Sequence, residues 1–526
     1  MNKLPQEIID RIVFFLPQGW SGEYPNSKKK CVARYAVICS KFRVAIERFT
    51  FRRIEIQNEE LETFAQTLTP GRRGFLRSLV YCITLPPIDP ALSQRYERPA
   101  ETEAVSKLFS LHIKNLFDAL SRLDGMRGIT LNLSNVWQFF EVDRDEEMLY
   151  GQDDFRDYRH IRSRIDLLAS DALPQLTSIS HLELSPWDRM PTPSILLDLA
   201  ARMPGLQALD LAFISNEVRY PGLLRKDRCI LATMLKLRSE ETKKISVFTL
   251  DMGIEYDGNG AMHLLLPMPN VTYPLGYDPL GSSLRTWSQR LTEFHLKGIF
   301  DEALFWPHPL ETTASPPQWL NLKNLYVHLE RQTPSGWWYF MPKGKPEFGT
   351  PPRNPAKDPN DLPLPFTDNP IDGADAFDKR AEDAWDCTQD YGKPVEDCFT
   401  RNVPIEDTMQ PLLKGWARAL RSMRSLQRAT LAFSVEIPDS KSSDEENVCW
   451  NDWEVIYESP ESISDHCWNE QLEAEERSSR RLTFHNTRGW WPNKDTMDML
   501  QRVGDDNYPG TKLVVLAVNE WDEVLR

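Results

Sequence analysis

The stretch PSILLDLAARMPGLQALDL, residues 193–211, contains the pattern that recurs along most of the chain. Its first half has the apolar spacing of an amphipathic helix. A Pro-Gly pair at 204–205 then marks a turn. Leu206, Leu209 and Leu211 follow, and their spacing indicates a short strand with one buried face. The stretch therefore predicts a unit made of a helix, a short turn and a β-strand.

The same apolar spacing marks eight other candidate strands. They are Phe51-Ile54-Ile56, Met126-Ile129-Leu131, Ile179-Leu182-Leu184, Ile245-Phe248-Leu250, Leu291-Phe294-Leu296, Leu322-Leu325-Val327, Leu426-Ala429-Leu431 and Leu513-Leu516-Val518. Amphipathic segments lead into five of the nine strands, over residues 104–123, 160–179, 193–209, 409–430 and 495–503. The helix–turn–strand unit is therefore predicted to repeat.

A repeated helix–strand unit is typical of leucine-rich repeats, whose units stack to bury a core that no single unit can bury. The repeat is irregular, because Ile179 to Leu206 is 27 residues and Leu206 to Ile245 is 39. The sequence thus predicts the α/β class, as an irregular solenoid of helix–strand units. A doubly wound parallel sheet is the alternative, although a glycine-rich phosphate-binding fingerprint is missing.

Composition divides the chain into four regions. Residues 1–50 are predicted to be helical, and residues 51–340 carry most of the helix–strand units. Nine prolines within 341–370, followed by an acidic stretch, predict a flexible insertion over 341–407. Residues 408–526 are predicted to hold the last repeat units and an aromatic cap.

Charge and cysteine content limit the possible partners. The formal net charge is −15, which disfavours nucleic acid and anionic membranes as partners. The first apolar stretch is interrupted by Asp10 and Arg11, so neither a membrane span nor a secretory signal is predicted. The eight cysteines form no CxxC pair, which favours free thiols in a reducing compartment, cytoplasmic or nuclear.

The N-terminal sequence carries an ordered set of motifs. Leu4-Pro5-Gln6-Glu7 opens an Ile-rich helix that ends at Leu16-Pro17, and Ile38-Cys39-Ser40-Lys41-Phe42 follows after a long polar loop. This order resembles the F-box family over about the first 50 residues. The following helix–strand units resemble the leucine-rich-repeat class of F-box proteins.

The resemblance implies a function in ubiquitin ligation. F-box helices dock onto the Skp adaptor of a cullin–RING ligase (SCF), and the remaining chain recruits a protein substrate that the sequence does not identify. By resemblance, the adaptor-binding residues are Leu4, Pro5, Ile8, Ile12, Leu16, Ile38 and Phe42. Two alternatives stay open: the first helix caps the repeat stack, or the chain is a non-catalytic interaction scaffold outside any ubiquitin ligase.

The sequence contains no HExxH, GxxxxGK[ST], GxSxG or GxGxxG motif, so we expect neither an enzyme nor a cofactor. No metal site is expected either. His181 and His328 lie in candidate strands, where a lone histidine is usually a structural residue.

Two features of the C-terminal region could have a function. Ser442 and Ser443 precede three acidic residues and form either a phosphorylation site for an acidophilic kinase or part of a plain solubilising loop. Six of the sixteen tryptophans fall in the last 77 residues, namely Trp450, Trp453, Trp468, Trp490, Trp491 and Trp521. They are predicted to cap the last repeat, with a substrate-contact surface as the alternative.

Overall fold

The computed structural model describes residues 4–15, 34–89, 92, 96–140, 159–160, 162–185, 189–213, 221–253, 270–312, 315–342, 401–438, 448–460, 462, 471–518 and 524–525. The protein is a mixed α/β protein with mostly parallel β-sheet. Its described residues form two compact units, one within 1–90, 99–149 and 164–211, the other within 91–98, 150–163 and 212–526. The division at residue 212 falls inside the predicted repeat region 51–340.

The first unit combines a helical N-terminus with a parallel sheet. Its helices are α1 (Gln6–Phe15), α2 (Ser40–Thr50), α3 (Leu61–Thr67), α4 (Pro70–Arg73), α5 (Pro99–Ser121) and α6 (Ser194–Ala201). Its strands are β1 (Arg53–Gln57), β2 (Ser78–Ile88), β3 (Ile129–Phe140), β4 (Ile179–Leu184) and β5 (Ala208–Ala212). Each strand pairs in parallel with the next one in the chain.

The second unit has a mixed sheet. Its strands are β6 (Val247–Asp251), β7 (Glu293–Gly298), β8 (Asn324–Leu329), β11 (Arg428–Pro438), β12 (Val448–Glu458), β13 (Arg480–His485), β14 (Leu513–Val518) and β15 (Val524–Leu525). β9 (Phe340–Pro342) and β10 (Arg401–Pro404) form a separate antiparallel pair. The helices are α7 (Pro221–Leu237), α8 (Pro279–Trp287), α9 (Glu406–Arg421), α10 (Ala474–Arg477) and α11 (Lys494–Gln501).

The segment 193–211 folds as its sequence predicts. The apolar side of α6 is buried, and Leu209 and Leu211 of β5 face the same core. Gly205, in the turn between them, approaches the neighbouring chain so closely that a Cβ there would lie 3.0 Å from the carbonyl oxygen of Thr177. Only glycine allows this approach without a shift of the backbone.

All nine candidate strands are strands in the structure, and the described residues add six more, namely β2, β9, β10, β12, β13 and β15. Within each unit the sheet keeps the order of the chain, apart from β9 and β10, which pair separately. A doubly wound sheet instead reverses its strand order at a switch point. The strand order within each unit therefore argues against the doubly wound alternative.

The helix predicted for 160–179 is wrong for the described residues of that segment. They contain one short 3₁₀ turn, Ser170–Ala172, preceded by Ala169 at φ 55°. Two serine hydroxyls of α5 bind the segment instead: Ser106 Oγ accepts from the Asp166 N–H (3.0 Å), and Ser110 Oγ accepts from the Leu168 N–H (2.8 Å). These two backbone N–H groups therefore bind side chains of α5 and not helical carbonyl groups, and tertiary contacts override the local helical spacing.

The region 408–526 departs from simple helix–strand repeats. β12 pairs antiparallel with both β11 and β13. Only the nine residues 439–447 separate β11 from β12, and a parallel connection needs a dozen or more. The short connection therefore imposes a hairpin. At the end of the predicted insertion, residues 401–404 form β10, and α9 begins at Glu406; residues 343–400 lie outside the described part of the chain.

No helix among the described residues has both the length and the apolar character needed to span a membrane.

Candidate functional site

Helix α1 divides its apolar residues between two faces. Ile9 and Val13 are 0% and 1% exposed and pack against α2, in a cluster with Phe42, Ala45 and Ile46. Burying a side chain of this size stabilises the fold by roughly 1.5–3 kcal/mol. The contact between the two helices therefore buries only part of the apolar surface of α1.

The rest of the apolar surface at the start of the chain is exposed to solvent. Leu4, Ile8, Ile12 and Phe15 are 38%, 45%, 39% and 50% exposed, and they follow one another at steps of three and four residues. Such steps place Ile8, Ile12 and Phe15 on one side of α1, and Leu4 lies just before the helix. We call these four residues the N-terminal apolar face.

The start of α2 extends this apolar surface. Lys41 Nζ donates to the carbonyl oxygen of Leu4 (2.7 Å), which holds the beginnings of the two helices side by side. Val37 and Ile38, just before α2, are 88% and 44% exposed. Phe14 is also exposed and meets the Phe15 ring edge-on at 5.4 Å.

Polar contacts fix α1 on its opposite side. The Gln6 amide donates to Asp10 (2.8 Å) and to the carbonyl oxygen of Lys41 (3.1 Å). Arg48 of α2 also pairs with Asp10. These contacts and the buried Ile9 and Val13 set the rotation of the helix, so the N-terminal apolar face is directed to solvent.

The predicted adaptor-binding residues divide in the same way. Leu4, Pro5, Ile8, Ile12 and Ile38 are exposed, whereas Phe42 is buried beneath α1. Leu16 lies outside the described residues, as do Ser442 and Ser443. Val37 and Phe14 are also exposed, although the motif that resembles an F-box singles out neither residue.

Tertiary structure also assembles a group that the sequence does not show. His181 of β4 and Asp210 of β5 are 29 residues apart, yet His181 Nε2–H donates to Asp210 Oδ2 at 2.8 Å. Glu183 Oε1 lies 3.7 Å from the other ring nitrogen. The hydrogen bond to Asp210 raises the pKa of His181 above its ordinary value.

A second histidine, His328 of β8, lies in a polar chain on the sheet of the second unit. Its Nε2 is 3.0 Å from Ser434 Oγ, and Ser434 Oγ donates to Asp452 Oδ1 (3.2 Å). Burial lowers the pKa of His328. In a serine hydrolase the carboxylate orients the histidine and the histidine takes the proton of the serine. Here the Ser434 hydroxyl donates to the Asp452 carboxylate and not to His328. The arrangement therefore does not activate Ser434.

The tryptophans of the C-terminal region occupy different environments. Trp453 is 1% exposed, Trp490 is half-buried and Trp491 is 42% exposed. Trp468, Trp521 and the Trp450 side chain lie outside what the structure describes. The ring centroids of Trp453 and Trp490 lie 5.8 Å apart, so the two rings belong to one aromatic cluster.

Comparison of the chain with models of known protein families gives no match, and comparison with curated proteins gives none either.

Proposed function

We propose that the protein is a non-catalytic substrate-recognition subunit of an SCF-type cullin–RING ubiquitin ligase. In this proposal residues 1–50 form an F-box-like domain that binds the Skp adaptor, and the irregular leucine-rich-repeat-like region behind it binds a protein substrate. Such a subunit works in the cytoplasm, the nucleus or both.

The single observation that carries the proposal is the N-terminal apolar face. Three large apolar side chains of α1 and that of Leu4, just before it, stay exposed, while the other side of α1 packs against α2. Water-exposed apolar groups in a contiguous row are typical of a protein–protein interface. These residues belong to the motif order that resembles an F-box, which makes the Skp adaptor the best-supported occupant.

The α/β units add support for the substrate-binding part. Parallel strands in chain order, preceded in several cases by a buried helix face, agree with repeat-like stacking. Stacked repeats leave one face of the sheet open along several strands, and repeat proteins use such extended surfaces to bind other proteins.

The test uses the full chain co-expressed with a Skp adaptor. The variant with Leu4, Pro5 and Ile8 all replaced by alanine is expected to lose adaptor affinity by a factor on the order of 100, since it removes central apolar anchors. All three side chains are exposed, so the melting temperature should stay close to that of the wild type. Affinity is measured by calorimetry and folding by thermal unfolding.

Two controls separate binding from folding. Replacing the exposed Leu111, Leu237 and Leu310 by alanine removes comparable apolar groups elsewhere and should leave adaptor binding unchanged. Ile9→Ala, next to Ile8 but 0% exposed, should lower stability by about 2–5 kcal/mol. Wild-type affinity in the Leu4/Pro5/Ile8 variant would refute the docking surface. Failure of the wild type to bind any Skp adaptor would favour the scaffold alternative.

A further inference from the structure

The sheet of the first unit brings three potential metal ligands together on one face. In the register of β3, β4 and β5, Asn132 is opposite Glu183 and Glu183 is opposite Asp210. His181 lies two residues before Glu183 on the same strand, so both side chains project from the same face. The strand pairing alone therefore places one imidazole and two carboxylates next to one another.

The distances agree with a common ion between them. Ligand atoms of His181, Glu183 and Asp210 all lie within 4.8 Å of one another. Their side chains are 27%, 35% and 37% exposed, so an ion can reach them from solvent while much of each side chain stays shielded.

The surroundings hold these side chains in place. Asn132 Nδ2 donates to Glu183 Oε2 (2.7 Å), which leaves Oε1 of the same carboxylate toward His181. Beneath them Leu131, Leu182 and Leu209, in register with one another, are each 0% exposed in the core. Asn132 is thus a positioning residue, and the three strands form a rigid base for the ligands.

The donor types decide which ions fit. Mg²⁺ and Ca²⁺ prefer oxygen ligands alone, whereas an imidazole beside carboxylates suits Zn²⁺ and other divalent transition metals. Three protein ligands also leave a coordination position for water or another donor. We propose that His181, Glu183 and Asp210 bind one divalent transition-metal ion, with Zn²⁺ as the leading candidate. This proposal replaces the expectation from sequence that the chain holds no metal.

The experiment measures Zn²⁺ binding to the full chain after removal of metals with a chelator. Calorimetry should give one equivalent per chain. Asp210→Asn and Glu183→Gln keep the shape of the side chain and should each weaken Zn²⁺ binding by more than about 10-fold. Asn132→Ala, which removes the positioning residue, should also weaken Zn²⁺ binding, by roughly 10–100-fold. His485→Gln is the matched control, because His485 also pairs with a carboxylate, that of Glu454 at 3.0 Å, but lies in the second unit; this variant should bind like the wild type.

X-ray absorption of the Zn²⁺-loaded wild type gives a readout that does not depend on folding of the variants. One imidazole with oxygen ligands is expected. Sulfur ligands, two or more imidazoles, or no stoichiometric binding would overturn the site. Equal affinity of the wild type and the Asp210→Asn variant would overturn it as well. None of these results depends on adaptor binding.

Discussion

Replacing Trp453 by alanine is expected to lower the free energy of unfolding by about 3–5 kcal/mol. The Trp453 side chain is 1% exposed and lies in an aromatic cluster with Phe340, Phe433 and Trp490, whose ring centroids are 5.8, 5.7 and 5.8 Å away. Alanine would leave a cavity among rings that belong to two different strands, β9 and β11, and a loop. Chemical denaturation of the full chain measures the loss.

Two further variants test why Trp453 matters. Trp453→Phe keeps most of the apolar volume, and no described residue accepts from the indole N–H, so this change should cost less than the alanine variant. Trp491→Ala removes a tryptophan that is 42% exposed and should cost no more than about 1.5 kcal/mol. A small loss for Trp453→Ala would contradict the cap prediction. Loss of a protein partner with Trp491→Ala would instead place a contact surface at this end.

Replacing Asp278 by alanine is expected to cost about 3–5 kcal/mol or more. Asp278 is 0% exposed and forms a bidentate ion pair with Arg228, at 2.6 and 3.2 Å. It also caps α8 by accepting from the N–H groups of Leu280 (3.2 Å) and Gly281 (2.8 Å). The alanine variant leaves a buried guanidinium charge without this partner and two helical N–H groups without an acceptor.

The two contributions of Asp278 can be separated. Asp278→Asn keeps a capping oxygen but removes the charge, so it should be about 1 kcal/mol less damaging than alanine. Adding Arg228→Met to Asp278→Asn removes the unpaired charge and should restore part of the stability. Asp118→Ala breaks the exposed Lys114–Asp118 pair and should cost no more than about 0.5 kcal/mol. If Asp278→Ala costs no more than this control, the buried pair has no stabilising role.

The N-terminal apolar face shows how far a helical wheel can predict a surface. The wheel places Ile8 and Ile9 in one broad apolar arc. It cannot say that Ile9 is 0% exposed and Ile8 45% exposed, because that depends on where α2 packs. The ion pair between Arg48 and Asp10, which helps to fix this rotation, joins residues that are 38 positions apart in sequence.

The sequence by itself determined the local elements of this protein. The apolar spacing placed nine strands and most of the helices before them, because side chains repeat every two residues in a strand and every 3.6 in a helix. Only the tertiary structure decided that 160–179 is not a helix, that β12 turns back antiparallel, and that His181 meets Asp210. The first depends on the contacts of Ser106 and Ser110 of α5 with a segment about 60 residues away, and the third depends on the register of the strands. The second follows from the short connection before β12, which matters only once β11 and β12 are both known to be strands. The spacing of apolar residues shows which side of a helix or strand is apolar. The packing of a neighbouring element against that side decides which part of it is buried.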